Sequence, residues 1–265
     1  MKIKIAAAQT ADESDYKVNL AKAEQYMKEA SAQGAKLILF PEGFMAAFPS
    51  GTPAEVKLQA AQTMDGPFVT SMCSLAAQYG LWTVFGMSEP CDESHSYNTT
   101  VIVNDQGSVA ATYHKTHLYD AFRHRESDLT KAGDTLFESV ETPFGRIGLM
   151  VCYELRFPEI ARYEVLKQKA DILLIPTMWI KGKRKAEQLR IMTCARALEN
   201  NVYAVMCDMC GEYSVGGSCI IGPLGEVIEE LGEEEGLLVA EYDSEITDKV
   251  RSIVPALATR RPELY

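Results

Sequence analysis

Apolar and polar positions along this 265-residue chain switch repeatedly between a two-residue and a 3.6-residue rhythm, strand and helix in turn. Lys2 to Gln9 opens by alternation, with Ile3 and Ile5 on one side. Helical spacing follows from about Val18 to Ala32; it sets Leu20, Ala23, Tyr26 and Met27 on one face and stops at Gly34. Leu37-Ile38-Leu39-Phe40 is an unbroken apolar run closing at Pro41-Glu42, the pattern of a strand covered on both faces. A helix from Val69 to Tyr79 ends at Gly80, and Leu81 to Met87 is the next strand.

Hairpins come next. Asn98 to Val103 and Ser108 to Tyr113 flank Asn104-Asp105-Gln106-Gly107, and Phe137 to Glu141 and Arg146 to Val151 flank Thr142-Pro143-Phe144-Gly145. Asp171 to Ile175 reads as another buried strand. A helix from Ala186 to Asn200 leads into a strand at Tyr203 to Met206, a hairpin turns at Pro223-Leu224-Gly225, and Gly236 to Tyr242 is the last strand. Helices alternating with hairpins, rather than with single parallel strands, predict an α/β fold of two mixed sheets packed face to face. Helices would cover the outer faces, giving a four-layer α-β-β-α sandwich. With no repeat, low-complexity tract or linker, residues 1–265 are expected to form one domain.

Composition narrows the function classes. Hydrophobic residues make up 47% and charged residues 24%, enough for a substantial core. A net charge of −11 repels phosphate backbones and anionic lipid, which argues against nucleic-acid and membrane-surface partners. The apolar run Ile3 to Ala8 is interrupted by Asp12, Glu13 and Asp15. A membrane span needs about 18–20 apolar residues, so the expected location is the cytoplasm. The 7 cysteines are odd in number and scattered, as reduced thiols are. Cys207 and Cys210 form a lone CxxC with no second pair or nearby His, and read as small buried hydrophobes.

Three reactive or charged residues follow apolar strands: Glu42, Lys115 and Cys152. Strand ends are rigid, so side chains held there are pre-aligned. A cysteine near its reference pKa of about 8.5 is only a few per cent thiolate at neutral pH, so it needs a base and a nearby positive charge. Glu42 could serve as the base and Lys115 as the charge. Lys115 could also share an oxyanion with the Tyr153 backbone N–H, at ~2.7–4 kcal/mol per donor. Two carboxylates around one lysine are expected to raise at least one carboxylate pKa. His114, His117 and His124 lie in one segment, so a Cys–His pair is an open alternative on these grounds.

Longer segments bear on that choice. Pro41-Glu42-Gly43-Phe44, then His114-Lys115-Thr116-His117-Leu118-Tyr119-Asp120, then Val151-Cys152-Tyr153-Glu154-Leu155-Arg156-Phe157-Pro158-Glu159 resemble the three catalytic motifs of the nitrilase superfamily, in the family's order. Arg125-Glu126-Ser127, Ala132-Gly133-Asp134, Ala195-Arg196-Ala197-Leu198-Glu199-Asn200 and the terminal Arg260-Arg261-Pro262-Glu263-Leu264-Tyr265 extend the resemblance over almost the whole chain. It implies the α-β-β-α fold, Cys152 as nucleophile, Glu42 as general base, Lys115 as oxyanion binder and Glu126 as the family's second glutamate. It also implies a homodimer or larger oligomer, with no metal and no organic cofactor.

The cysteine motif looks most like the Nit-type amidases (the ω-amidases and deaminated-glutathione amidases), and so implies a small-molecule amide substrate. Phe48-Pro49-Ser50-Gly51 is closer to the nitrilase pattern, and Glu187-Gln188 falls where those amidases often carry His-Trp. Nitrile or N-carbamoyl hydrolysis on the same residues is therefore the enzymatic alternative. A binding module with a structural Cys152 is the non-enzymatic one. Among possible substrate-binding residues, Phe44 and Tyr119 lie inside the motifs. Met178 and Trp179, after the strand at Asp171 to Ile175, suit pocket or core equally. The basic cluster Lys181 to Lys185, through Lys183 and Arg184, is either a solvated loop or a rim for a substrate carboxylate. Arg156 is expected to pair with Glu154, Glu159 or Glu199 and hold the turn after the cysteine.

Overall fold

The computed structural model describes residues 1–264. The chain begins with β1 (Lys2–Gln9), α1 (Tyr16–Ala32), β2 (Ala35–Leu39), α2 (Ala54–Gln59) and α3 (Pro67–Tyr79). It continues through β3 (Trp82–Pro90), β4 (Ser96–Val103), β5 (Val109–His114), β6 (Thr130–Lys131), β7 (Val140–Thr142) and β8 (Gly145–Leu149). Then come α4 (Pro158–Leu166), β9 (Ile172–Thr177), α5 (Lys185–Asn200) and β10 (Tyr203–Asp208). The last elements are β11 (Cys219–Ile221), β12 (Val227–Glu230), β13 (Gly236–Asp243) and α6 (Ser244–Ile253).

Two mixed sheets result. The first runs β13-β1-β2-β3-β4-β5, with β6 added to β4; the second runs β12-β11-β10-β9-β8-β7. Strand alternation explains why they stack. Ile5 and Ala7 of β1, and Leu37 and Leu39 of β2, face the second sheet in one apolar core with Ile147, Leu149 and Ile172 to Ile175. Their neighbours Ala6, Ala8 and Ile38 point the other way, against Ala23, Met27 and Ala30 of α1 and Phe68, Met72 and Ala76 of α3. Each such buried Leu or Ile is worth about 1.5–3 kcal/mol. On the far side Ile160, Ala161 and Val165 of α4 and Leu189 and Ala197 of α5 cover the second sheet. The four layers expected from the sequence are present.

The connectivity differs in one respect. Both sheets are parallel at their centres: β1, β2 and β3 run alike, as do β8, β9 and β10, each successive pair joined through one or two helices. Antiparallel strands supply the flanks, by hairpin at β3-β4-β5 and β7-β8 and by the distant β13 beside β1. α4 was hidden in the sequence because its 9 residues bury only a short apolar stripe. α2 buries none. The strand expected at Phe137 to Glu141 is confined to Val140–Thr142, because Phe137 turns into the core against Tyr113.

β5 runs with β3, because two antiparallel steps restore direction. The C-terminal ends of β2 and β5 in one sheet and of β8, β9 and β10 in the other can therefore gather at one rim. In α/β sheets, that rim is where ligand sites form.

Candidate active site

Glu42, Lys115 and Cys152 meet between the two sheets. The Lys115 amide extends the β5 ladder by donating to the Asn98 carbonyl at 2.9 Å, and its ammonium donates to Glu42 Oε1 at 2.9 Å and Glu126 Oε2 at 2.8 Å. Asn98 on β4 donates its side-chain amide to Glu42 Oε1 at 2.8 Å and Glu126 Oε1 at 3.0 Å, so one amide and one ammonium cross-link both carboxylates. The Tyr119 amide caps Glu126 Oε2 at 2.6 Å. Glu42 Oε2 accepts the Met178 amide at 3.0 Å across the sheets, and the Met178 carbonyl lies 3.8 Å from Cys152 Sγ as acceptor.

Close backbone approach makes these positions possible. A Cβ on Gly86 of β3 would collide with the Gly43 amide and the Glu42 Cα, so only glycine lets β3 support the Glu42 turn. Gly133 does the same against the His114 carbonyl and donates its amide to Lys115 O at 3.0 Å.

Cys152 opens a 3₁₀ turn, Cys152–Arg156, with φ of +48°, a left-handed conformation that costs a non-glycine residue about 1–2 kcal/mol. At the start of that turn, the first amides, Tyr153 N–H among them, lack acceptors within it. Glu154 makes the conformation tenable. Fully buried, it accepts from the Val151 amide at 2.8 Å, the Thr116 amide at 2.9 Å, the Thr116 hydroxyl at 2.8 Å and the Tyr113 hydroxyl at 2.6 Å. It thereby joins the lysine segment to the cysteine turn. Its donors are Val151 at the base of the turn and Tyr113, Thr116 and His117 on the lysine segment, and Arg156, expected as a partner, is not among them.

Burial pushes the Cys152 thiol far above its usual range; Glu42, by its charge and hydrogen bond, adds to this, and Lys115 opposes it. The resting sulfur is a thiol facing a carboxylate. Burial alone would lower Lys115, but Glu126 and Glu42 outweigh it and keep the ammonium charged. Burial would likewise raise Glu126, yet Lys115, the Tyr119 amide and Asn98 hold it below the ordinary value. The expected upward carboxylate shift is therefore reversed at Glu126, because direct hydrogen bonds overcome desolvation. The histidine alternative finds no support: His114 Nε2 pairs with Glu89 at 2.9 Å, His117 Nδ1 with the Thr116 hydroxyl at 2.8 Å, and His124 stacks on Tyr119.

The carbon–nitrogen hydrolase family model matches residues 4–252. The chain belongs to the carbon–nitrogen hydrolase family. It is 32% identical over 257 residues to the deaminated glutathione amidase of Escherichia coli O157:H7, covering 97% of each chain. Among solved structures, Saccharomyces cerevisiae Nit3, described as a member of the nitrilase superfamily, superposes with a TM-score of 0.86 at 25% identity, over 98% of this chain and 97% of that one. A mutant amidase from Nesterenkonia sp. AN1, showing covalent addition of the acetamide moiety of fluoroacetamide at the active site cysteine, gives 0.80 at 27% identity, over 99% and 95%.

Around the thiol of this carbon–nitrogen hydrolase lies an aromatic and cationic rim. The Lys185 ammonium donates to the Tyr119 hydroxyl at 3.0 Å and sits 4.0 Å over the Phe122 ring and 5.3 Å from the Trp179 ring. Burial lowers its pKa, as does the nearby Arg156 charge. The Arg156 guanidinium lies 4.9 Å over Trp179 and donates to Gln188 at 3.0 Å; it takes none of the three expected glutamates, and Glu199 pairs with Arg196 instead. Tyr153 and Tyr119 rings stand 5.3 Å apart beside this pair.

Several sequence expectations are resolved here. Phe44 packs on Phe40 at 4.5 Å and against Phe68 in the outer helix layer, because Gly43, with φ of +62°, turns the chain away from the cleft. Arg184 is an exposed partner of Glu187 at 2.6 Å, and Lys183 is exposed, which matches the solvated-loop reading of the basic cluster. Met178 reaches it through backbone atoms. Trp179 is buried, its indole N–H bonded to Lys185 O at 3.1 Å, and serves as a floor beneath the two cations. Lys185, Arg156 and Asn98 are the residues the sequence reading missed or assigned elsewhere. A signal existed for Lys185: it shares the buried face of α5 with Leu189, Thr193 and Arg196. No three or more His, Cys, Asp and Glu side chains among the described residues group to hold a metal. Cys207 and Cys210 are buried free thiols.

Proposed function

We propose that this carbon–nitrogen hydrolase is an amidase that cleaves a small, carboxylate-bearing carboxamide through a thioester on Cys152. The observation that carries the reading is the buried thiol set against Glu42, with a charged Lys115 held between Glu42 and Glu126. Glu42 takes the thiol proton as Sγ bonds to the amide carbon. The oxyanion is stabilised by Lys115 and the Tyr153 N–H. The C–N bond then breaks, Glu42 returns the proton to the leaving nitrogen, and ammonia departs. Water gives a proton to Glu42 as its oxygen attacks the thioester carbon; the C–S bond then breaks, Glu42 returns that proton to Sγ, and the carboxylic acid departs. Glu126 fixes Lys115 and keeps it charged. The deaminated glutathione amidase relatives favour the amide over the nitrile.

The substrate carboxylate belongs with Arg156 and Lys185, two cations that share aromatic faces and carry no carboxylate partner among the contacts described above. Ile191 and Leu198 lie exposed seven residues apart on α5, an apolar strip that suits the homodimer this reading includes.

Cys152→Ala should abolish ammonia release while circular dichroism stays unchanged. Ammonia release from α-ketoglutaramate, deaminated glutathione, an aliphatic amide, an N-carbamoyl amino acid and a nitrile then identifies the class. Turnover near wild type in the alanine variant, or a nitrile outpacing every amide, defeats the reading.

A further inference from the structure

Asp208 closes β10, is fully buried, and takes no part in the chemistry above. It stands opposite Thr177 in the parallel β9–β10 ladder. Its Oδ1 accepts the Thr177 hydroxyl at 2.7 Å and the Trp179 amide at 2.8 Å, so one oxygen clasps both neighbours of Met178. Met178, held between them, gives its amide to Glu42 Oε2 and presents its carbonyl to Cys152 Sγ. A rotation of this three-residue turn would disturb both contacts together.

We propose that Asp208 is a positioning residue for the thiol–carboxylate pair. By clasping the Thr177–Trp179 turn it aims one backbone group of Met178 at the base and the other at the nucleophile. The proposal rests on the roles given above to Cys152 and Glu42.

Core packing alone does not account for the carboxyl. Its Oδ2 has no hydrogen-bond partner among the described residues, and burying such an oxygen costs free energy that an apolar side chain would not. Burial pushes the carboxyl well above its usual range, toward the neutral form, against the opposing bonds from Thr177 and Trp179. Asparagine matches that form in shape and keeps an oxygen for the clasp. It is therefore the conservative variant.

The test compares Asp208→Ala, Asp208→Asn and Thr177→Val, measuring the single-turnover rate of acylation on the best amide of the panel, with KM, circular dichroism and melting temperature. Asp208→Ala should slow acylation at least about tenfold with KM within about twofold, in folded protein. Asp208→Asn should recover most of the rate. Thr177→Val removes half of the clasp and should show a smaller loss in the same direction; it carries the test if the alanine variant does not fold. Wild-type acylation in folded Asp208→Ala, or in Thr177→Val where the alanine variant is lost, overturns the proposal. So does an asparagine variant as slow as alanine. If Cys152→Ala itself turns over amide, the proposed function and the positioning role fall together; a dead Cys152→Ala beside a fast Asp208→Ala removes only the latter.

Discussion

Glu154 shows how one side chain can hold a buried cysteine in a conformation that its own backbone disfavours. The left-handed φ of Cys152 persists because Glu154 ties the Val151 amide at the base of the turn to Tyr113 and Thr116 on the lysine segment. Burial works against its charge, but hydrogen bonds, with those from His117 and Tyr113 foremost, keep its pKa below the usual glutamate value. Glu154→Ala would strand several of these donors at about 1–3 kcal/mol each. Urea denaturation should accordingly register a loss of more than about 3 kcal/mol, and alkylation of Cys152 by iodoacetamide should change in rate. A variant of wild-type stability would mean the donors find other partners. In the sequence, Glu154 was visible only as a member of the cysteine motif. Its partners on the lysine segment lie 37 to 41 positions away by chain number, beyond any local pattern.

At the scale of elements, α5 decides which basic residue matters. The four basic residues of Lys181-Gly182-Lys183-Arg184-Lys185 look equivalent as a charge run, but the helix begins at Lys185 and its phase buries that side chain against Tyr119 and Phe122. Lys185→Met should raise KM for a carboxylate-bearing amide about tenfold or more and leave a neutral amide unchanged. Removing Lys183 or Arg184 should do neither. Because burial and Arg156 depress Lys185, its charge is lost below the ordinary lysine value of 10.5. KM for the acidic amide should rise as alkaline pH passes through that lowered range, and the rise should be absent in Lys185→Met. A pH profile shared by both proteins would move the carboxylate site elsewhere.

For the whole molecule, stability should carry the mark of Glu164. This residue of α4 is fully buried against Gly148 of β8, and neither oxygen has a hydrogen-bond partner among the described residues. Burial pushes its carboxyl up to about 9, with the Glu154 charge adding to the shift and the Leu149 backbone opposing it. The folded state therefore keeps a proton that the unfolded chain releases above 4.5. Stability falls as pH rises across that window, by at most about 1.4 kcal/mol per pH unit, and this group adds no further loss above 9. Glu164→Gln should show a flatter dependence of melting temperature on pH from 5 to 9 than wild type, the gap widening upward. Parallel curves would place the carboxyl in contact with solvent.

Periodicity and motif together determined the layers, most strands, and the trio Glu42, Lys115 and Cys152, because burial repeats locally and reactive residues fall at strand ends. Tertiary structure alone decided the rest. Asn98 becomes a hub, Phe44 turns into the outer core, and Arg156 leaves the glutamates for Trp179. These outcomes depend on which strand ends share a rim and which way each helix is rotated when layers pack. Such relations are set by contacts between distant segments, and no window along the chain contains both sides of them.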